Sequence, residues 1–298
     1  MRLQRYILCQ LKKRHLFVNK KAILNLTYEF YIIIICKSIS GIMKKHCILL
    51  TFALIAGISV QAQNELFQKK EFSYKGDTLR YRVLFPENYD KSKHYPLVLF
   101  LHGSGENGND NEKQLAWGAS LFADSVNRKT YPAIVLFPQC RGNQDWVVYK
   151  ELTDAKFDIT DTKEPSTPLG LAKKLVDFYQ KIEAVDSKRI YILGLSSGGM
   201  GTFDLICRYP STFAAAIPMC GAVNLERLKK VRKMPIRIYN GDSDNSVSPE
   251  YSRNAFIELK AEGSQHVEHI EYSGTGHNCW TQAFAEPDFL KWLFSQKK

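Results

Sequence analysis

Beyond its first 62 residues this 298-residue chain lacks an excess of either charge. The whole carries a formal net charge of +11, from 41 Lys and Arg against 30 Asp and Glu. Ten of those bases and a single acid, Glu29, fall in residues 1–62, which leaves 31 bases and 29 acids after them. So even a balance gives no reason to expect a nucleic-acid or other polyanionic partner. Cysteine is sparse as well: only Cys140, Cys207, Cys220 and Cys279 follow residue 62, none in C-x-x-C spacing. That argues against a zinc or dithiol redox motif, and no metal or organic cofactor is expected. One or two disulfides stay open, with three pairings if all four cysteines are used. Cys207, within a helical pattern, reads as a core residue. Internal repeats and Pro- or Ser-rich linkers are missing, so a single large α/β domain is expected from a chain that is 45% hydrophobic.

Long apolar runs are missing too. The stretch Tyr31 to Cys36 is too short to span a bilayer, and Cys47 to Val60 is shorter than a comfortable span. The second has the form of a secretory signal. Met43-Lys44-Lys45-His46 is a short positive n-region, Cys47 to Val60 the apolar h-region, and Val60-Gln61-Ala62 puts small residues before Gln63. No cysteine stands at the cleavage point, so no lipid anchor is expected. The expected organisation is an upstream segment over 1–42 that precedes the true start at Met43, a signal peptide over 43–62, and a catalytic domain over 63–298. Such a protein is exported, to the periplasm or beyond, with no stable membrane anchor after cleavage.

What the chain does have is Gly194-Leu195-Ser196-Ser197-Gly198, a G-x-S-x-G match. It follows the buried-strand run Ile190 to Leu193 and precedes a helical pattern with Met200, Phe203, Leu205 and Ile206 apolar. A tight strand-to-helix turn forces the serine into a strained backbone and leaves no room for side chains at the flanking glycines. The helix then points its N-terminus at the serine oxygen.

The rest of the chain alternates. Glu71 to Tyr74 and Thr78 to Leu84 predict a hairpin about Lys75-Gly76-Asp77. Buried strands are expected over Tyr95 to Leu101, Ala133 to Phe137, Ala214 to Met219, Pro235 to Tyr239 and His266 to Tyr272. Helices are expected over 112–124, Leu169 to Ile182, Asn224 to Val231, Glu250 to Ala261 and Gln282 to Gln296, with a polar loop over Leu152 to Pro168. An antiparallel start followed by strand-helix alternation predicts an open, mostly parallel sheet with helices on both faces. Chemistry in such sheets sits at the carboxyl ends of the strands.

A serine nucleophile needs a base and a carboxylate to orient it. Asp242 and Asp244 follow one strand, and His277, flanked by Gly276, follows the last. Asp244 is preferred because Asp-x-x-Val places it just before the segment that docks back onto the sheet. His266 and His269 read as exposed strand residues. The order Ser196, Asp244, His277 is the one this topology expects. Backbone N–H groups of Ser197 and of Ser104, in the strand-end run His102-Gly103-Ser104-Gly105, are the candidate oxyanion donors. Trp117, Gln139, Trp146 and Trp280 fall on loops expected to rim the cleft, where aromatics suit a sugar or phenolic ring or else serve only for packing.

These residues resemble the α/β-hydrolase superfamily over the whole region past the leader. More narrowly, the chain is similar to the phospholipase/carboxylesterase group and to the "predicted peptidase" and feruloyl-esterase-like proteins. The resemblance is carried by the run from Leu101 to Leu115, Phe137-Pro-Gln-Cys140, the serine turn, Gly241-Asp-Ser-Asp244 and Gly276-His277-Asn-Cys-Trp280. Asn240 departs from it, since many relatives have histidine there. The resemblance implies serine hydrolysis of an acyl bond, with an open cleft because no large cap insertion is visible. Esters are the expected substrates, plausibly acetyl or feruloyl groups on polysaccharide. Peptide hydrolysis is the alternative on the same residues, and lysophospholipase action a third. Outside enzymes, a non-catalytic binding module could share the fold, though such proteins typically lose one of the three residues.

Overall fold

A computed structural model describes residues 63–151 and 157–298; the proposed upstream segment and signal peptide lie outside the described residues. The strands in chain order are β1 Gln68–Tyr74, β2 Asp77–Leu84, β3 Tyr95–Leu101, β4 Ile134–Gln139, β5 Tyr149–Glu151, β6 Phe157–Ile159, β7 Val185–Leu195, β8 Ala215–Met219, β9 Ile236–Gly241 and β10 Val267–Tyr272. Eight of them form one sheet in the order β1-β2-β4-β3-β7-β8-β9-β10, while β5 and β6 pair apart. β1, β2 and β4 are antiparallel neighbours, and every pairing from β4 across to β10 is parallel. The β1–β2 turn is tight because Lys75 (φ 50°) and Gly76 (φ 87°) both take the left-handed backbone that matches strand twist.

The helices are α1 Ala119–Ala123, α2 Ser125–Thr130, α3 Thr167–Ile182, α4 Ser197–Arg208, α5 Glu250–Ala261, α6 Trp280–Ala285 and α7 Phe289–Ser295. Central strands carry continuous apolar runs because both faces are covered. Leu97, Leu99, Leu101, Ile190 and Ile192 point to the side packed by α3, α4 and α5, with Leu175, Phe203 and Leu259 among their neighbours. Val98, Phe100, Tyr191 and Leu193 point to the other side, against Phe122 of α1 and Phe289 and Leu293 of α7. This is the sheet expected of an α/β-hydrolase. Among the described residues no helix is long and apolar enough to cross a membrane.

Three expected elements come out differently. The helix over 112–124 is instead a 3₁₀ turn at Lys113–Leu115 followed by α1, because the chain reverses at Gly118. There φ is +77°, and a Cβ would lie 2.4 Å from the Phe100 ring. The closing helix over 282–296 is two helices, divided at Glu286-Pro287, where proline cannot continue the hydrogen-bond ladder. The expected loop over 152–168 contains β6, paired to β5 by Tyr149↔Ile159.

Candidate active site

The site begins where β7 ends. Ser196 has φ 55° and ψ −123°, a backbone rare outside glycine. Its N–H donates to Met219 O at 2.9 Å and its carbonyl accepts from Met200 N at 3.0 Å, which ties the strained residue to β8 and to α4. The expected crowding is there. A Cβ on Gly194 would meet Gly198 O at 2.3 Å, and one on Gly198 would meet Leu101 O at 2.1 Å and His102 O at 2.5 Å. Only glycine lets the turn sit this close to the end of β3.

Two loops at neighbouring strand ends complete the arrangement. His277, after β10, accepts at Nε2 from Ser196 Oγ at 2.9 Å, and its Nδ1 lies 2.7 Å from Asp244 Oδ2. Asp244 Oδ1 accepts from the N–H groups of Ser246 (2.8 Å) and Val247 (2.9 Å), so the turn after β9 fixes one carboxylate oxygen and leaves the other to face His277. The Asp244 side chain is 0% exposed and that of His277 25%. Burial alone would disfavour the Asp244 carboxylate. The hydrogen bonds from His277, Val247 and Ser246 outweigh it and hold the carboxyl below its usual range. For His277 burial opposes the imidazolium, yet the bond to Asp244 prevails and the ring sits above its ordinary value. Asp242 is elsewhere: its Oδ1 accepts from Gly274 N and Ser243 Oγ, both at 2.8 Å, and so braces the loop that carries His277.

The 102–106 turn lies on the other side of Ser196. A Cβ on Gly103 would stand 3.4 Å from Ser196 Cβ and 3.2 Å from Glu106 Oε2. Ser104 opens the 3₁₀ turn here, and Ser197 opens α4, whose first N–H groups no intrahelical carbonyl caps. Burial raises the Glu106 carboxyl against hydrogen bonds from the Gly103 N–H and the Trp117 indole. The sequence reading did not single out Glu106; the signal available was its place at the end of the His102-to-Glu106 run.

The loop residues need correction. Trp146 is not on the rim. It is fully buried, packs edge-on to His102 at 5.1 Å, and donates from Nε1 to His102 O at 2.9 Å. Gln139 is also buried; it accepts from Asn111 N at 2.8 Å and donates to Asp110 Oδ1 at 2.9 Å and Glu106 O at 3.2 Å. Both hold the 102–111 loop from behind, because that loop folds back over the end of β4. Trp280 is buried against His277 (5.3 Å, edge-on) and Trp117 (5.7 Å), and of these aromatics Trp117 is the exposed one, at 38%. His102 keeps its ring neutral. Burial pushes its pKa down to about 4, while Nε2 accepts from Cys140 N at 2.9 Å and Nδ1 donates to Gly103 O at 2.7 Å.

Residues 88–291 match the family described as phospholipase/carboxylesterase. The chain belongs to that family. Its fold and its family are those of carboxylic ester hydrolases. This carboxylesterase-family chain is 27% identical over 251 residues to "Probable carboxylesterase SOBER1-like" of Arabidopsis thaliana, covering 79% of itself and 89% of that protein. A solved thermostable esterase superposes with a TM-score of 0.73 at 31% identity, over 80% of this chain and 64% of its own. A bifunctional acetylxylan esterase/xylanase of Neocallimastix patriciarum is 27% identical over 151 residues, half of this chain and 19% of the fungal protein.

Proposed function

We propose that this chain is a serine esterase whose nucleophile is Ser196, with His277 as general base and Asp244 as the carboxylate that orients it. The unbroken contact from Ser196 Oγ to His277 (2.9 Å) and on to Asp244 (2.7 Å) carries the reading. With the Nδ1 proton directed at Asp244, Nε2 is free to take the serine proton as Oγ adds to the acyl carbon. The N–H groups of Ser197 and Ser104 are the proposed oxyanion donors, from the helix start and the adjoining turn. Collapse of the tetrahedral adduct expels the alcohol, protonated by His277, and leaves an acyl-Ser196. Water, deprotonated by the same ring, then releases the acid and restores the hydroxyl.

The proposed substrates are small, accessible esters, acetyl or feruloyl groups on carbohydrate among them. Support comes from the exposed Trp117 ring near the His277–Trp280 pair and from the acetylxylan esterase relative. Aromatic faces suit sugar and phenolic rings. A fluorophosphonate probe should label the native protein, and Ser196→Ala should abolish both labelling and turnover. Nitrophenyl esters from acetyl to long acyl chains, run beside methyl ferulate and a peptide anilide, should show highest kcat/KM for short or cinnamoyl-type esters. Preference for long chains would favour a lysophospholipase, comparable anilide turnover a peptidase, and no turnover at all a binding module. Export with a mature N-terminus near Gln63 is also proposed, on the Met43-to-Ala62 pattern; N-terminal sequencing of secreted protein checks it.

A further inference from the structure

Two cysteines meet directly behind His277. Cys220 follows β8, one residue past the Met219 carbonyl that holds Ser196, and Cys279 stands at the start of α6, two residues past His277. Their sulfurs are 3.0 Å apart, and Cys220 Sγ also donates to His277 O at 3.2 Å. Both backbones are fixed. Cys220 has φ +49° and donates from N–H to Tyr239 O at 2.8 Å, while Cys279 O accepts from Gln282 and Ala283 N at 3.1 Å. Among the described residues, the remaining cysteines are excluded as partners by the sheet. Cys140 and Cys207 belong to the core on the α3–α4 side, Cys220 and Cys279 to the core on the α6–α7 side.

We propose that Cys220 and Cys279 are joined as a disulfide when the chain folds in the presence of a disulfide carrier, and that this bond ties the His277 loop to the end of β8. An approach of about 1 Å separates the present contact from the bonded distance of roughly 2.05 Å. The oxidant is a second disulfide, from a small thiol compound or a carrier protein. One cysteine thiolate attacks it, forming a mixed disulfide and releasing one carrier thiolate. The other cysteine thiolate then attacks the mixed disulfide at the protein sulfur, releasing the second carrier thiol. Two electrons pass to the carrier, and the two cysteine protons end on its two thiols. The hydrogen bond with the Cys279 thiol, and then burial, push the Cys220 thiol well above its ordinary range, so the native dithiol is a poor nucleophile. The bond is therefore set during folding and kept. It replaces a weak S–H···O contact to His277 with a covalent strut, and fixes the base without touching the reacting atoms.

The test uses the full chain, denatured and reduced, then refolded either with glutathione and its disulfide or with a reductant alone. Urea melts followed by tryptophan fluorescence, with mass and peptide maps, read out the bond independently of ester hydrolysis. The oxidised sample should yield a cross-linked peptide pair holding Cys220 and Cys279, with Cys140 and Cys207 still open to alkylation after denaturation. Closing a loop of 59 residues should shift the folding equilibrium by roughly a thousandfold in the chain-entropy account. Cys279→Ala should abolish that shift, and Cys140→Ala should keep it. Cys220 and Cys279 both alkylatable after oxidative refolding, a bond from either to any other cysteine, or equal urea midpoints for the two samples would each overturn the proposal.

Discussion

Replacing Asp244 by asparagine separates orientation from mere charge. Asp244 Oδ1 accepts two backbone N–H groups, from Ser246 and Val247, and Oδ2 faces His277 Nδ1 at 2.7 Å. In Asp244→Asn the amide carbonyl must take the Oδ1 place, since an NH2 there would oppose two donors. The amide NH2 then faces Nδ1, and two N–H groups cannot point at each other. The imidazole is driven to the tautomer with its proton on Nε2, which can no longer accept from Ser196. A wrong tautomer in this arrangement costs roughly 10³- to 10⁴-fold in kcat, or about 4–5.5 kcal/mol of transition-state stabilisation. Asp242→Asn should cost only a few-fold, because its Oδ1 braces Gly274 and does not reach the ring. Steady-state hydrolysis of nitrophenyl acetate by both variants, with circular dichroism to confirm folding, measures the difference. If Asp244→Asn kept a tenth of wild-type kcat, or Asp242→Asn lost as much as it does, the tautomer argument would fail.

Two pH effects follow from the same geometry. To act as the proposed base His277 must be neutral, and the bond to Asp244 holds its ring above the ordinary 6.5. Activity should therefore be full above the folded pKa and fall as pH drops through it, with the acid limb of kcat/KM centred above 6.5; a midpoint at or below that value contradicts the reading. His102 has the opposite sign, since burial lowers its pKa from 6.5 to about 4. Between those values the unfolded chain binds the extra proton, so stability is present above 6.5 and is lost as pH falls toward 4. The lost stability is roughly 3 kcal/mol. Urea melts from pH 7 to pH 4 should show that slope, and it should flatten in His102→Gln; an unchanged slope in the variant rules the contribution out.

The sequence displayed the serine turn clearly because steric crowding writes itself as glycine. Gly194 and Gly198 are where the structure leaves no space for a Cβ, and their spacing, set between a buried strand and a helical pattern, marks the turn. The strand positions were legible for a related reason: strands buried on both faces become uninterrupted apolar runs, as in β3 and β7. The helix breaks were harder. Apolar residues keep their period across Gly118 and Pro287, and the reversal at Gly118 depends on the Phe100 ring, 18 positions earlier in the chain. Trp146 was misplaced because a loop position says nothing of which way the loop folds, and Gln139 because β4 runs two residues past the expected end and includes it. The Cys220–Cys279 contact was invisible for want of a local pattern; it depends on β8 and the His277 loop meeting in space.

The scattering of the site along the chain bears on how the protein comes to life. Ser196 and His277 are 81 positions apart, and the 102–106 turn beside Ser196 arrives on β3, whose partner β7 pairs Leu99 with Ile192. Each such pairing closes a long loop before it is rewarded, which makes parallel sheets slow to fold. β10, the strand leading to His277, is the outermost strand of the sheet and pairs only with β9. A partly folded chain in which β7 and β8 have paired but β10 has not would thus carry the serine turn without its proposed base. With His277 as the proposed base, turnover begins only when β10 has docked on β9, so the first molecule of product reports that edge of the sheet as complete.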